Sequence, residues 1–447
     1  MDSHKYKIVI AGAGFAGGIL GRQLQKYTDA EVLMFDKSTN IEDSDTGTGL
    51  NLNPNGMSAL RSLDPELERD FRSYGLPRSR MKAETMSGKP LYDEAIFDEK
   101  GDGLALNTGL RIRWADAYTA VRQGLPIQYS HHVVDYAVDT KKDHGAVSIH
   151  VENHLTGEKI SVENVDLLVG ADGRYSKVRE KMSRPETTFI GVTNFRLLVP
   201  DTSGDLFEDM ELIYNVTSKK SGQPRKLEKE FQYAAQGLPR IGIMKMPETP
   251  NRPQMIYIFG NFGIKDAIPD ASKTKEGLLA LYDSADGTLS AKGKYILDTL
   301  DKNVHQLHWA RMQHTNPLLG KPLDNVLLLG DAAHAIVPTI EDAAVASDVL
   351  IRKIQNGTLG PRALREIETA RLSRRIYVSD VSLEASEHLL PQRVSQTEVM
   401  RREVKAWQDE SAGFRRKLRH VWRGGPVVHQ DFDMTPKSSA PKKGLVR

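Results

Sequence analysis

The stretch that most constrains this chain is an apolar run, Ile8-Val9-Ile10-Ala11, that breaks into Gly12-Ala13-Gly14-Phe15-Ala16-Gly17 and resumes as Gly18-Ile19-Leu20. A continuous apolar run of this length reads as a parallel strand covered on both faces. The spacing Gly12-x-Gly14-x-x-Gly17 has a mechanism. The first glycine makes a tight turn, the second lets the backbone approach a pyrophosphate, and the third lets helix and strand pack closely. The pyrophosphate then meets a helix N-terminus, where free N–H groups and the helix dipole favour negative charge. A second apolar run, Glu31-Val32-Leu33-Met34-Phe35, ends in Asp36, placed where a ribose-binding carboxylate belongs. Strand, glycine turn, helix, strand and acid come in the order a dinucleotide site requires.

The bulk properties narrow the alternatives. A chain of 447 residues is too long for one simple core, so two or three domains are expected. With 39% hydrophobic and 27% charged residues, it has the composition of an ordinary globular protein. A net charge of +2 gives no reason to expect nucleic acid or an acidic membrane as partner. The chain has no cysteine, which excludes disulfides, thiolate catalysis and thiolate metal sites; no other metal site is evident. No run approaches the length of a membrane span, and Met1 to Lys5 shows no apolar signal region, so a cytoplasmic location is the default expectation.

Further along, Leu20–Tyr27 reads as a helix and Lys37–Asn55 as a polar loop holding Gly47 and Gly49. A helix resumes from Gly56 to Leu63. Thr85–Leu106 reads as strands joined by tight turns at Gly88 and Gly101-Asp102-Gly103. Arg113 precedes a helix over about Ala117–Arg122 and by itself reads as a solvated side chain. Short strands follow near Val133–Val138, Val147–Val151 and Ile160–Val162. A second buried strand, Val165-Asp166-Leu167-Leu168-Val169-Gly170, ends in Ala171-Asp172-Gly173, with Ser176 able to cap the helix that carries Arg179.

From Phe189 to Gly263 helix signals are scarce. Strand-like pieces at Phe195–Val199, Glu211–Val216, Phe231–Ala235, Ile241–Met246 and Met255–Phe259 suggest a mostly antiparallel sheet. Lys219–Lys229 reads as a basic solvated insertion. Helices return near Lys275–Ser284 and Lys294–Val304. A third buried strand, Val326–Leu329, ends in Gly330-Asp331 before a helix that opens at Glu341-Asp342. Two amphipathic stretches, Pro361–His388 and Ser395–Arg419, precede a Pro/Lys/Ser-rich tail at 429–447 that reads as disordered.

The ordered triple GAGFAG at 12–17 with Asp36, VGADGRYSKVR at 169–179 and LLLGDAAHAIVP ending at Pro338 resembles the class A, single-component FAD-dependent monooxygenases of the para-hydroxybenzoate hydroxylase fold. The loop GTGLNLNPNG ending at Gly56 and the segment RWAD at 113–116 resemble family positions too. The resemblance implies an α/β fold: a discontinuous Rossmann-like FAD-binding domain, a mostly antiparallel β-sheet substrate domain, and C-terminal helices. The expected FAD-binding parts are 1–84, 110–186 and 319–360. The expected substrate-domain parts are 85–109 and 187–318, with a helical region at 361–428.

The resemblance also implies roles. Gly12, Ala13, Gly14, Phe15, Ala16 and Gly17 would hold the FAD pyrophosphate. Asp36 would bind the adenosine ribose with Lys37 beside it. Gly49 would pass close to the cofactor, and Arg113 would reach its phosphate or ribitol region. Asp172 and Gly173 belong to a motif tied to both FAD and NAD(P)H. Gly330 and Asp331 would meet the ribitol chain, and Pro338 would lie beside the flavin ring. His334 is read as orienting its turn, not as a base. Candidate substrate contacts in the sheet domain are Arg196, Tyr214 and Tyr233, each with a packing role as the alternative; no catalytic residue is assigned.

The implied reaction is hydroxylation of a small aromatic or polyketide-like substrate, with NADPH or NADH and O2 as co-substrates, through a flavin hydroperoxide; the expected form is a monomer or homodimer. The hard chemistry belongs to the flavin, so the protein need supply no thiol or metal. Related flavoenzymes (a halogenase, whose Trp-x-Trp-x-Ile-Pro element is missing here, or a double-bond reductase) stay open, as does a non-catalytic FAD-binding protein. One departure stands out. The family's Gly-rich turn between the proline and the Glu-Asp-Ala helix is missing: Pro338-Thr339-Ile340 runs straight into Glu341-Asp342-Ala343. That turn normally aims a helix N-terminus at the flavin. Its loss predicts weaker flavin retention and more uncoupled peroxide.

Overall fold

The computed structural model describes residues 4–40, 48–78, 80–95, 109–182, 187–208, 210–216, 229–249, 252–265, 271–283, 288–315, 323–335, 339–408 and 414–422. The Gly101-Asp102-Gly103 turn, most of the basic insertion, Pro338 and the 429–447 tail lie outside them.

Strands and helices are numbered along the chain. The glycine-turn strand β1 (Lys7–Ala11) sits in the middle of a five-stranded sheet. Its parallel neighbours are β2 (Glu31–Asp36) and β12 (Leu167–Gly170); β8 (Ile127–Tyr129) and β18 (Val326–Leu328) complete the order β18-β12-β1-β2-β8. Alternation along β1 sorts its side chains. Ile8 and Ile10 join Leu167, Val169 and Leu327 under α1 (Phe15–Tyr27), α9 (Thr339–Gln355) and the start of α10 (Pro361–Glu387). Val9 and Ala11 join Leu168, Val326 and Leu328 against the antiparallel sheet β9 (His131–Val138), β10 (Val147–Asn153) and β11 (Lys159–Val165), with α5 (Lys177–Glu180) beside it. The run is apolar at every position because both of its faces are covered.

A small sheet of β3 (Gly49–Leu52), β7 (Gly109–Arg113) and β4 (Leu76–Arg78) packs with α2 (Pro54–Leu63), α3 (Pro65–Tyr74) and α4 (Trp114–Arg122). Strand β3 corrects the expected loop over Lys37–Asn55: Gly49 pairs with Arg113 and Leu52 with Leu110. A long-range partner strand supplied the pairing that a short polar segment does not advertise.

The second large sheet runs β17 (His308–His314), β13 (Thr188–Pro200), β16 (Met255–Gly263), β15 (Arg240–Met246), β14 (Met210–Tyr214), β5 (Arg80–Thr85), β6 (Pro90–Ala95). It is antiparallel except at β14 and β5, which run parallel. Phe231–Ala235, expected as a strand, is instead the helix α6 (Lys229–Ala234). Phe231 and Ala234 are both fully buried, and a three-residue spacing puts them on one side of a helix, not of a strand. One face of the sheet is aliphatic: Leu197, Ile213, Ile241, Ile243 and Ile258 pack under α7 (Ala271–Tyr282) and α8 (Ala291–Asn303). The other face packs against α10, α11 (Gln396–Gln408) and α12 (Phe414–Trp422) through Val378, Met400, Trp407 and Trp422. The amphipathic stretch expected over Ser395–Arg419 holds the two helices α11 and α12.

Candidate active site

The glycine loop is built as its spacing requires. Gly12 has φ +94°, and a Cβ there would stand 2.3 Å from the carbonyl oxygen of Ala171. A Cβ on Gly17 would stand 1.9 Å from the carbonyl oxygen of Gly12. Gly14 ends the loop as the cap of α1, with no side-chain cap and no acid in the first helical turn. Asp36 reaches this loop from the end of β2. Its Oδ2 accepts from the Ala13 N–H at 2.6 Å, and its Oδ1 accepts from the Ser38 N–H at 2.9 Å, from the Ser38 hydroxyl, and from Arg122 at 3.3 Å. The carboxylate is thus largely occupied by the protein, and a ribose hydroxyl would share one of these positions. Lys37 beside it is exposed.

Arg122 is buried, donates to the Ala13 carbonyl at 3.0 Å and lies 4.6 Å from the centroid of the Tyr118 ring. Tyr118, its hydroxyl pushed up to about 12 by burial, would meet a Cβ on Gly14 at 3.0 Å. It packs edge-on with Phe15 and Trp114. Sequence reasoning missed Arg122 and Tyr118; their one signal is that they follow the RWAD segment on the same helix, α4. Arg113, which by itself reads as solvated, is instead fully buried, because its guanidinium finds backbone carbonyl partners. It donates to the carbonyls of Pro247 at 3.0 Å and Pro253 at 2.8 Å, fastening β7 to the large sheet's loops.

The two later motifs are stitched to each other. Asp172 accepts from the Lys177 N–H at 2.8 Å, holding the start of α5, while Gly173 turns at φ +82°. Its second oxygen has no hydrogen-bond partner, and burial pushes its pKa up. Arg179 donates to the carbonyls of Asp331 at 3.2 Å and Ala332 at 2.8 Å, fixing the third motif's turn. Gly330, at φ +60°, lies against Ala16 and Thr339. Asp331 itself is solvent-exposed on this turn. Desolvation by the protein around it raises its pKa, and Arg174, Arg179 and Arg196 hold it down. His334 is fully buried with Nε2 2.8 Å from Asp342 on α9, as an orienting residue would be.

Arg196 and Tyr214 share the face of the large sheet that meets the C-terminal helices, which Tyr233, on α6, does not join as a strand residue. Tyr233 is half-buried near Gly263 at that face's end. Arg196 makes no direct hydrogen bond or ion pair with another described residue; the titratable groups near it are Asp331 and the neutral Tyr257 hydroxyl, the latter's pKa pushed up to about 12 by burial. Tyr257 stacks with Phe259 at 5.4 Å, and a Cβ on Gly49 would run into Tyr257 and Met246. Gly49 therefore brings the small sheet against this wall.

Farther along the same face, Arg240 keeps accessible surface although protein surrounds it. It donates to the Tyr214 hydroxyl at 3.4 Å, and its Nε has no partner. Tyr214 donates to Glu403 at 3.4 Å and lies 3.5 Å from the Tyr92 hydroxyl; Glu403 is 3.5 Å from His388. Burial pushes Tyr214 up to about 12, raises Glu403 and depresses His388. Arg196 and Arg240 are two strands and two residues apart, about 12 Å between Cα atoms from strand spacing and rise.

Residues 5–341 match the FAD binding domain family. The chain belongs to that family. A similar curated protein is 2-heptyl-3-hydroxy-4(1H)-quinolone synthase of Pseudomonas aeruginosa, 25% identical over 374 residues, covering 80% of this chain and 82% of that one. Another is 6-methylsalicylate 1-monooxygenase of Aspergillus terreus, 22% identical over 409 residues, with 86% and 83% covered. The fold matches that of Klebsiella pneumoniae HpxO complexed with FAD and uric acid, at a TM-score of 0.67 and 18% identity, covering 95% of this chain and 97% of that one. The protein is an FAD-dependent monooxygenase.

The monooxygenase's glycine loop fits the FAD that the family carries. A cradle closed to any Cβ at Gly12 and Gly17, leading into an uncapped helix without a first-turn acid, suits a diphosphate. Helix α9 begins at Thr339, directly after the proline and without an intervening glycine turn.

Proposed function

We propose that this monooxygenase hydroxylates a small, oxygen-bearing aromatic molecule in a recess between Asp331 and the face of the large sheet that meets the C-terminal helices. The observation that carries the reading is a wall holding two arginines, Arg196 and Arg240, neither with a carboxylate in ion-pair range among the described residues, flanked by the stacked Tyr257 and Phe259. Flat aromatic surface with a few convergent donors is what such a substrate needs. Relatives named for 6-methylsalicylate and 6-hydroxynicotinate support an aromatic substrate.

When bound, FAD supplies electron transfer from NADPH or NADH and oxygen transfer to the substrate. In this proposal Gly12, Ala13, Gly14, Phe15, Ala16 and Gly17 hold the diphosphate. Asp36 and Arg122 shape that loop. Gly330 and Asp331 meet the ribitol end, and Gly49 lies at the ring. Arg196 orients the substrate near Asp331, and Tyr214 with Arg240 holds its far end. Helices α10–α12 and the segment between α10 and α11 exclude water. That segment is laid on the sheet by the Leu238 N–H donating to His388 O at 2.8 Å and the Gly263 N–H to Leu389 O at 3.1 Å.

The test is NAD(P)H oxidation by the FAD-loaded protein across a panel of phenols and hydroxylated N-heteroaromatics, with labelled O2. Substrate-stimulated oxidation and one labelled oxygen in the product are expected, and Arg196→Gln should raise KM about tenfold or more. Bound aromatics that receive no label overturn the reading. The missing turn before α9 should show as hydrogen peroxide formed per NAD(P)H consumed; full coupling with tight FAD retention counts against that part. No helix among the described residues is long and apolar enough to cross a membrane.

A further inference from the structure

A second cluster of chemistry-bearing side chains lies at the start of β1, at the opposite end of that strand from the glycine loop. His4 precedes β1, His144 sits in the turn between β9 and β10, and Asp166 joins β11 to β12; their ligand atoms all lie within 4.8 Å of one another. His4 Nε2 is 3.1 Å from both oxygens of Asp166, straddling the carboxylate. His144 Nδ1 is 3.6 Å from Oδ1, too far for a hydrogen bond but aimed at the same group. We propose that His4, His144 and Asp166 form a site for a divalent cation of the zinc class, with water completing the coordination.

Three arguments support it. Four ligands at 2.0–2.2 Å in a tetrahedron stand about 3.3–3.6 Å apart; the two imidazoles already stand 3.1 and 3.6 Å from the carboxylate, and all the ligand atoms lie within 4.8 Å of one another. Two imidazoles and one carboxylate are a donor set that suits zinc and its neighbours. The carboxylate is also held from behind, as ligating carboxylates are: Oδ2 accepts from the Lys7 N–H and Oδ1 from the Gly145 N–H, both at 2.8 Å. The imidazoles are buttressed too. Their rings lie 4.1 Å apart, and buried Tyr6 packs edge-on against His4 at 5.0 Å. The imidazoles are exposed, with side chains 43% and 49% accessible, so an ion can enter, while Asp166 is 5% accessible and pre-set.

A bound ion would tie the segment before β1 to the β9–β10 turn and so brace the entrance to the central strand. The test uses untagged, FAD-loaded protein titrated with Zn2+ alone against a chromophoric chelator, with melting temperature as a second readout. One equivalent should bind and raise the melting temperature with zinc concentration. His4→Gln and His144→Gln should each weaken binding by about tenfold or more and abolish that shift, leaving FAD content and NAD(P)H oxidation unchanged. Because His144 is exposed and makes no hydrogen bond to Asp166, the zinc-free melting temperature of His144→Gln should equal that of the parent. Absence of saturable one-to-one binding, or binding equally tight in both variants, overturns the proposal.

Discussion

Two buried charge clusters meet the C-terminal helices, and they are built in opposite ways. Around the start of α9, Arg374 donates to Glu341 at 2.8 and 3.0 Å and Arg371 to Asp342 at 2.7 Å. Asn55 donates to Glu341 at 2.6 Å, and His334 lies 2.8 Å from Asp342. On the large sheet, Arg240, Tyr214, Glu403 and His388 touch only at 3.4–3.5 Å, and Arg240 Nε and His388 Nε2 have no partner. The first cluster also keeps unpartnered atoms, Arg371 Nη1, Arg375 Nη2 and His334 Nδ1, but its ion pairs at 2.7–2.9 Å clamp α10 to α9. The second stays open toward a recess. Buried charge costs several kcal/mol per ion unless paired, so the tight cluster reads as a clasp and the loose one as a place for a ligand's polar atoms.

The largest effect that could break this contrast is on stability. Asp342→Ala leaves Arg375 without its carboxylate and Arg371 with Glu341 alone, and should cost about 3–5 kcal/mol in urea unfolding. A loss below about 1 kcal/mol would mean the clasp does not hold the fold.

The next effect is acid lability. Burial, with Arg375 nearby, depresses His334 to about 4, whereas an unfolded histidine titrates near 6.5. Between those values the unfolded chain binds the extra proton. The stability contribution is therefore complete above pH 6.5 and is lost as pH falls toward 4, by about 3 kcal/mol in all. Asp342 adds its own loss only below the ordinary carboxylate range. Although burial alone would raise it, Arg375 and Arg371 hold it well below that range. Unfolding measured from pH 7.5 to 4.5 should show this slope, and His334→Gln should remove it.

A smaller effect concerns what keeps the second cluster covered. A Cβ on Gly237 would stand 2.1 Å from the Leu389 carbonyl oxygen, so Gly237→Ala should cost about 1–3 kcal/mol and speed protease cleavage near Leu389-Leu390. Smallest of all, Arg240→Met should change ligand-free stability by less than about 1 kcal/mol, because no close ion pair is broken. A loss as large as that of Asp342→Ala would erase the distinction between the clusters.

Much of the FAD side was legible in the chain itself. Gly12 and Gly17 occupy positions where a Cβ collides with backbone, and the apolar runs at β1, β12 and β18 are strands covered on both faces. Those are local demands, satisfied or violated within a few residues, so residue type reveals them. The partners of the motif residues were not legible. Asp36 bonded to Ala13 and Arg122, Arg113 turned to Pro247 and Pro253, and β3 made a strand by β7 are pairings across 23 to 140 positions, which no local period encodes.

The sequence by itself determined the dinucleotide-binding half of this monooxygenase, because glycine geometry and strand burial are written residue by residue. Only the tertiary structure decided which charges close on each other and which stay open. Whether Arg240 or Arg371 finds a carboxylate depends on the distance between elements far apart in the chain, and a buried charge is a clasp or a site according to that distance alone.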